Sequence, residues 1–456
     1  QCALATFLGV IGILIFGILK LKADIQILLI LGLALTAVVA KALGFKWTEI
    51  QAAMSQGVFR GMIGLFIFML IGMTIGSWIQ AGTVPALIYY GLGLLSPMWF
   101  LPAGFILCSL TSMATGTSWG TAGTVGLALM GIGLSMGIPA PIIAGMIISG
   151  AFFGNQLSPM ADVTNLIAVS TDTGLYDHIK TMMVTVIPSF LIALVMYAFT
   201  GFKYSKGNLD TQQIILIQNT ISSQFQISLW LLLPMILVLI LSVLKVPAIP
   251  CMMSGIFSGV LVAFIFQGVS LDGVLTTLHS GFVGQTGVQV VDKLLNRGGI
   301  VSMMGTFSLA FIALALGGIL DEMHFMEVLV EKITSRIRKT ANLTTVTILS
   351  AFATNTAMAE SYPSIILNGR LYAKAFDEKG LQRRMLSRSL GEGCVCTIGL
   401  IPWSTAGAFM AGALGVPTLQ YIPYAYLNLV IPIVSILFSY LGLFVFRTKA
   451  ATSGRP

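Results

Sequence analysis

An aspartate, Asp162, stands in an apolar, glycine-spaced stretch that begins at Ile138, with Asn155, Gln156, Ser158 and Pro159 before it and Thr164 and Asn165 after it. An ionised acid at the centre of a bilayer costs ~2.5–3.5 kcal/mol on insertion scales, so such a residue needs a partner or a task. Asn165, three positions on, shares a helical face with it. Two uses fit these residue types. The carboxylate can cap the N–H groups of a half-helix that starts after Pro159, or it can join neighbouring amide and hydroxyl oxygens in replacing part of a cation's hydration shell. Both draw on the same oxygens and are compatible. A second acid, Glu360, follows Asn355 and precedes Ser361 and Pro363. It reads either as a counterpart of Asp162 or as a buried partner for Arg370 or Arg388. Glu392, between Gly391 and Gly393, reads as a residue of the membrane edge. Asp321 and Glu322 close an apolar run and are expected to face solvent.

Hydroxyl clusters surround these acids. Residues 109–124 carry Ser109, Thr111, Ser112, Thr115, Thr117, Ser118, Thr121 and Thr124 with Gly116, Gly120 and Gly123. Residues 402–407 carry Pro402, Trp403, Ser404, Thr405 and Gly407. Gly and Pro at membrane depth break helices, and the freed backbone groups must be paired or line a wet cavity. Ser and Thr rescue freed backbone by local bonding, so part of this set is structural. A carboxylate held among hard oxygens in a low dielectric takes up either a proton or a cation, and the two compete. With two access states, that competition is a minimal exchanger.

The elements that must position these residues are membrane helices. Charged residues make up 9% of the chain, hydrophobic residues 56%, and the mean hydropathy is +0.95. Soluble domains carry roughly 25% charged residues, so this chain faces hydrocarbon. At about 20 residues per span there is room for roughly ten to twelve. Runs at 3–19, 25–43, 61–80, 181–200, 227–244, 248–267, 302–320 and 422–446 read as spans, and 99–135, 138–171, 343–376 and 389–415 as spans interrupted by polar clusters. Segments 45–60 and 271–299 suit amphipathic interfacial helices, and 321–339 an interfacial connector. The net charge of +8, with eight Lys and Arg before residue 226 and sixteen after it, follows from basic cytoplasmic loops rather than nucleic-acid binding. Arg370, Lys374, Lys379, Arg383, Arg384 and Arg388 form the clearest cytoplasmic marker. His178, His279 and His324 read as loop histidines. Five scattered cysteines give no framework, and no phosphate loop or catalytic elbow is present. No enzymatic activity, cofactor or nucleic-acid partner is expected.

A duplication orders the chain: residues 1–205 and 227–447 form two repeats, 206–226 a linker, and 448–456 a tail excluded from fold reasoning. A-T-G-T-S-W-G-T (114–121) matches A-T-N-T-A-M-A-E (353–360), and S-P-M-A-D-V-T-N (158–165) matches I-P-W-S-T-A-G-A (401–408). Paired halves with Gly- or Pro-interrupted segments in matching places point to a secondary transporter's binding site. The fold class is therefore an all-α polytopic membrane protein of two structural repeats with broken helices or re-entrant hairpins.

T-S-M-A-T-G-T-S-W-G-T-A-G-T-V-G (111–126) and G-A-F-F-G-N-Q-L-S-P-M-A-D-V-T-N-L (150–166) resemble signatures of the NhaC-type sodium/proton antiporter family. The resemblance implies inverted repeats, a homodimer moving in an elevator-like way, and a multi-pass protein of the bacterial inner membrane. It implies Na⁺ and H⁺ as passengers, with exchange of small organic anions of the malate/lactate type as the alternative. Carried onto this chain, Asp162 and Glu360 would couple proton to cation. Thr117, Ser118, Asn155, Ser158, Asn165, Asn355, Ser404 and Thr405 would complete the shell, and Asp162, Asn165 and Thr117 would ligate Na⁺ directly.

Overall fold

The computed structural model describes residues 2–94, 96–205, 211–244, 246–325, 327 and 339–448. The connector cations Lys332, Arg336 and Arg338, linker residues 206–210 and tail residues 449–456 lie outside them. Apolar runs become helices because backbone polar groups in hydrocarbon must be satisfied within their own segment. In the first half these are α1 (Cys2–Phe16), α2 (Ile25–Ala42), α3 (Trp47–Arg60), α4 (Met62–Gln80), α5 (Thr83–Leu94), α6 (Pro97–Thr115), α7 (Ser118–Thr121), α8 (Leu127–Ser135), α9 (Ala140–Leu157), α10 (Asp162–Ser170) and α11 (Leu175–Ser205). The linker carries α12 (Thr211–Gln224). The second half holds α13 (Leu233–Val243), α14 (Ala248–Gln267), α15 (Leu271–Ser280), α16 (Gln289–Leu295), α17 (Gly299–Ser302), α18 (Met304–Glu322), α19 (Thr340–Met358), α20 (Ser361–Glu378), α21 (Arg383–Leu390), α22 (Cys396–Ile398), α23 (Thr405–Leu414), α24 (Thr418–Tyr421) and α25 (Tyr426–Tyr440). Among the described residues the only β feature is an isolated bridge between Leu381 and Arg447.

Among the described residues seven helices are long and apolar enough to span a bilayer, and up to nine if each of two bent pairs counts as one. That is below the ten to twelve for which the length has room. Two polar-interrupted stretches keep one full-length apolar helix each, Pro97–Thr115 and Ala140–Leu157, with shorter helices after the break, while the helices of the other two stretches are not among the seven. The run 227–244 holds a helix over Leu229–Val243, which meets the linker helix over Ile215–Gln224 at 88°. Segment 271–299 is not one amphipathic helix. Gly281, Gly298 and Gly299 all adopt positive φ and divide it. Helix α5 falls between the runs 61–80 and 99–135 and is too short to read as a span, with Pro85, Gly91 and Gly93 interrupting its apolar residues.

The halves interlock crosswise. Helix α3 lies along α18 of the other half, and α15 and α17 lie along α4. Both seams close at backbone distance on glycine. A Cβ on Gly57 would stand 2.7 Å from Cα of Gly318, and one on Gly76 3.3 Å from N of Gly299. Gly57 and Gly299, and Gly76 and Gly318, are each 242 positions apart.

Inside each half the same construction recurs at nearly the same interval. A Cβ on Gly150 would meet Cys108 Cβ at 2.5 Å and Phe105 O at 2.8 Å, and one on Gly393 would meet Ala351 Cβ at 2.6 Å and Ile348 O at 2.7 Å. The Ser112 hydroxyl donates to Ala151 O, and the Asn355 amide to Cys394 O. Each of these pairs repeats 243 positions later.

Candidate functional site

Each half contains two breaks, and within a half they touch. Helix α6 ends on Gly116 at φ 72°, and Thr117 then caps α7 by accepting from Gly120 N. Helix α19 ends on Ala359 at φ 57°, and Glu360 caps α20. The second breaks precede α10, capped at Ala161, and α23, capped at Ser404. A Cβ on Gly116 would lie 2.9 Å from Met160 C, so only glycine lets the first half's breaks meet. In the second half Ala359 O accepts from Thr405 N at 2.9 Å, and Trp403 Nε1 donates to Thr356 O at 2.8 Å.

Gly116 and Ala359, Thr117 and Glu360, and Ala161 and Ser404 all stand 243 apart. This corrects one alignment made from the sequence. Matching 114–121 with 353–360 places the first breaks 239 apart, about one helical turn out of register, because Ala-Thr-x-Thr recurs a turn too early in the second half. The match of 158–165 with 401–408 has the register of the breaks. The corrected register pairs Asp162 with Thr405 and Thr117 with Glu360. One half thus places its acid at the first residue after the second break, and the other places it at the cap of the first break.

The two acids also differ in company. The Asp162 carboxylate makes no hydrogen bond or ion pair among the described residues and is exposed at the start of α10. The Ser118 hydroxyl and the Asn155 side chain are likewise unpartnered, and both residues are buried. Asn165 donates to Pro159 O and Ala161 O, each at 3.0 Å, stapling the break and leaving its own carbonyl oxygen open. Thr164 closes the other side by donating to Asn155 O at 2.9 Å. Ser158 is fully buried, and its oxygen accepts from Met160 N at 3.3 Å.

Glu360, by contrast, is spoken for. Its Oε1 accepts from Ser361 N at 2.8 Å and its Oε2 from the Thr405 hydroxyl at 2.7 Å. The Ser404 hydroxyl is used up by capping, accepting from Gly407 N at 2.9 Å and donating to Ile398 O at 2.6 Å. Asn355 is tied to Cys394 O, and its Oδ1 stays buried without a partner. The two acids nevertheless share a neighbour. The Tyr362 hydroxyl is within electrostatic reach of both Asp162 and Glu360, and α10 packs on α20.

Three expectations are overturned. Glu392 is not at a membrane edge: it and Arg388 are both fully buried, with Nε 3.7 Å from Oε1, and Thr185 donates to the same Oε1 at 2.6 Å. That arrangement takes Arg388 away from Glu360, whose partners are hydroxyls and backbone. His178 is no loop residue, since it is buried in the first turn of α11 with Nδ1 3.0 Å from the Ser387 hydroxyl. The i, i+4 spacing of Arg388 and Glu392 was the signal that could have revealed their pair. Sequence reasoning also passed over Trp119, which sits 4.4 Å from Phe409 in a stacked pair that joins the broken helices of the two halves. Among the described residues no three His, Cys, Asp or Glu side chains gather as a metal cluster.

A helical membrane protein whose broken helices meet around an unpartnered acid has the layout of a secondary transporter. The comparisons carry this to a family. The model of the Na⁺/H⁺ antiporter family matches residues 150–443. The malate-2H⁺/Na⁺-lactate antiporter of Bacillus subtilis is 36% identical over 432 residues, 95% of this chain and 92% of that protein. The Na⁺/H⁺ antiporter NhaC of Alkalihalophilus pseudofirmus is 35% identical over 450 residues, 98% of this chain and 97% of its own length. The arginine/ornithine antiporter ArcD of Halobacterium salinarum is 34% identical over 443 residues, 96% and 91% of the two chains. The chain belongs to the Na⁺/H⁺ antiporter family.

Proposed function

We propose that this protein is a secondary antiporter that exchanges Na⁺ for H⁺, with Asp162 as the carboxylate that holds either one. The observation that carries this reading is the free Asp162 carboxylate at a break that meets the first break of the same half, with further unpartnered oxygens on Ser118, Asn155 and Asn165 of the segments around those breaks. Its place in the first helical turn matters. The N–H groups there present partial positive charge, which repels a bare cation. A carboxylate reverses the local sign and makes cation binding possible, and when Na⁺ leaves, a proton restores neutrality. Thr117, a partner by register, and Ser158 line the break. Glu360, with Thr405, Ser404 and Asn355, completes the shell from the second half, and its saturated hydrogen bonding suits a supporting rather than a leading acid.

The reading includes two repeats, residues 1–205 and 227–447, related by a two-fold axis that inverts one against the other. Support comes from the crossed glycine seams. When position i of one half meets j of the other and j's counterpart meets i's, the contact is isologous, as at a two-fold interface. A homodimer in the bacterial cytoplasmic membrane, as the family implies, belongs to the same reading.

A second reading has support of its own: two relatives of equal similarity bear names of organic-solute antiporters. Against it, Arg388 is paired with Glu392, and Arg370 lies exposed on α20, so neither cation expected for an anion site stands at a break. In proteoliposomes with an imposed Na⁺ gradient and no organic solute, lumenal pH is expected to move, and Asp162→Asn to stop it. Movement that begins only after malate, lactate or arginine is added establishes the second reading. Full activity in Asp162→Asn removes Asp162 from the site.

A further inference from the structure

Glu360 lies at the inner end of a narrow cleft. The cleft has room for about one water molecule (about 10 Å³) and is lined by Glu360, Met358 and Pro363 at the first break of the second half together with Gly57, Arg60 and Asp321 of the α3–α18 seam. Glycine makes the cleft possible. Gly317 lies against the break, where a Cβ would stand 2.5 Å from Met358 O, and Gly318 lies against α3, where a Cβ would stand 2.2 Å from Ala53 O. Two sides of the cleft are therefore held at backbone distance, with Leu314 and Met358 as the apolar side chains between them. The charged movable groups are at the mouth. There Arg60 reaches across the seam from the last residue of α3 and bonds Asp321 through one terminal nitrogen and Glu322 through the other. The three side chains are 32%, 24% and 39% exposed, so they sit at the water side of the cleft.

We propose that this cleft is the path by which water, protons and Na⁺ reach Glu360, and that Arg60 is its gate. The proposal rests on the reading of Glu360 as part of the ion site. With Arg60 bridging both acids, a cation meets a guanidinium before it meets Glu360. When Arg60 swings out, two carboxylates are left at the mouth and draw cations inward. The exposed pairs are weak enough to open often and are screened by salt. Such a gate would respond to Na⁺ concentration itself. Among the described residues the counterpart positions of the first half carry no such acids. The positions 242 before Asp321 and Glu322 hold Ile79 and Gln80, and Gln80 is bonded to Gly273 O at 3.0 Å.

The test measures access rather than transport. Pro363→Cys puts a thiol in the cleft wall of the full-length protein, where four native cysteines are buried and Cys2 is replaced by Ser. Its modification by a small membrane-impermeant thiosulfonate is followed in proteoliposomes. Adding Arg60→Gln is expected to raise the rate roughly fivefold, about what two exposed ion pairs can hold closed. Asp321→Asn with Glu322→Gln should do the same, and Arg60→Lys less. Unchanged rates in both backgrounds overturn the gate. Should Pro363→Cys fail to reconstitute, Met358→Cys reports on the same cleft by the same criterion. Normal exchange in Glu360→Gln would instead remove Glu360 from the ion site while leaving the labelling result intact, so the two failures are distinguishable.

Discussion

The two halves of this protein share a skeleton and differ in where they put charge. Glycines, caps and inter-helix hydrogen bonds repeat at 242 or 243 positions, yet at the breaks Thr117 and Asp162 of one half stand where Glu360 and Thr405 stand in the other. Each half thus owns one acid and one threonine hydroxyl, in exchanged places. In the second half the two are bonded at 2.7 Å, while in the first the acid is free. A duplicated fold can hold one carboxylate satisfied and its opposite number available. The satisfied one costs little to keep in place, and the available one can do ion chemistry.

The strongest contrast lies behind the breaks. The second half buries Arg388 and Glu392, whereas position 149, counterpart of Glu392, is a serine that accepts from Tyr197 at 2.8 Å. Removing one member of a buried pair leaves a lone charge, so Arg388→Met is expected to cost about 3–5 kcal/mol, and Arg388→Met with Glu392→Leu to recover most of it. Ser149→Ala should cost only about 1 kcal/mol. Thermal unfolding of the detergent-solubilised protein checks all three, and equal losses at 149 and 388 would erase the contrast.

The shared skeleton makes a prediction of the opposite kind. Because Gly150 and Gly393 meet equivalent neighbours at nearly equal distances, Gly150→Ala and Gly393→Ala should each destabilise by about 1–3 kcal/mol and by similar amounts. A marked inequality would mean that the halves are not packed alike.

A smaller effect sharpens the comparison at the site. Thr405→Ala removes a hydrogen bond to the Glu360 carboxylate, and such bonds are worth about 1.5–3 kcal/mol. The apparent KM for Na⁺ in exchange assays should rise roughly tenfold or more. Thr117→Ala loses a helix cap, at about 1 kcal/mol of stability, together with a hydroxyl that the proposed site places at the break, and a KM left unchanged would take Thr117 out of the ion shell.

The smallest effect comes from the breaks themselves. Gly116 and Ala359 both adopt a left-handed conformation, which costs a residue with a side chain about 1–2 kcal/mol. Ala359→Gly should therefore be tolerated and raise the unfolding temperature slightly. Gly116→Ala should lower it, since a methyl group there also meets Met160.

Much of this was readable in the chain. The helical membrane class, the recurring pattern and the four broken segments follow from local residue types, because hydrocarbon solvent forbids unpaired backbone and uncompensated charge within any short stretch. The register of the first breaks was not readable, since Ala-Thr-x-Thr occurs a turn away from the residue that ends the helix. Nor was the burial of His178, which depends on α11 lying against α21. The span count was not readable, because hydropathy cannot tell a span from two half-helices meeting at an angle.

Residue chemistry in a given solvent is a local property, and from it the sequence determined that this chain crosses a membrane, that its broken segments recur at a fixed interval and that acids, amides and hydroxyls gather at its breaks. Which acid is left free is a matter of geometry. Asp162 and Glu360 look alike in sequence, each beside amides, hydroxyls and a proline. Only the packing of one break against the other gives Glu360 the Thr405 hydroxyl and leaves Asp162 with none, because a hydrogen bond across residues 45 apart exists only once the chain has folded back on itself.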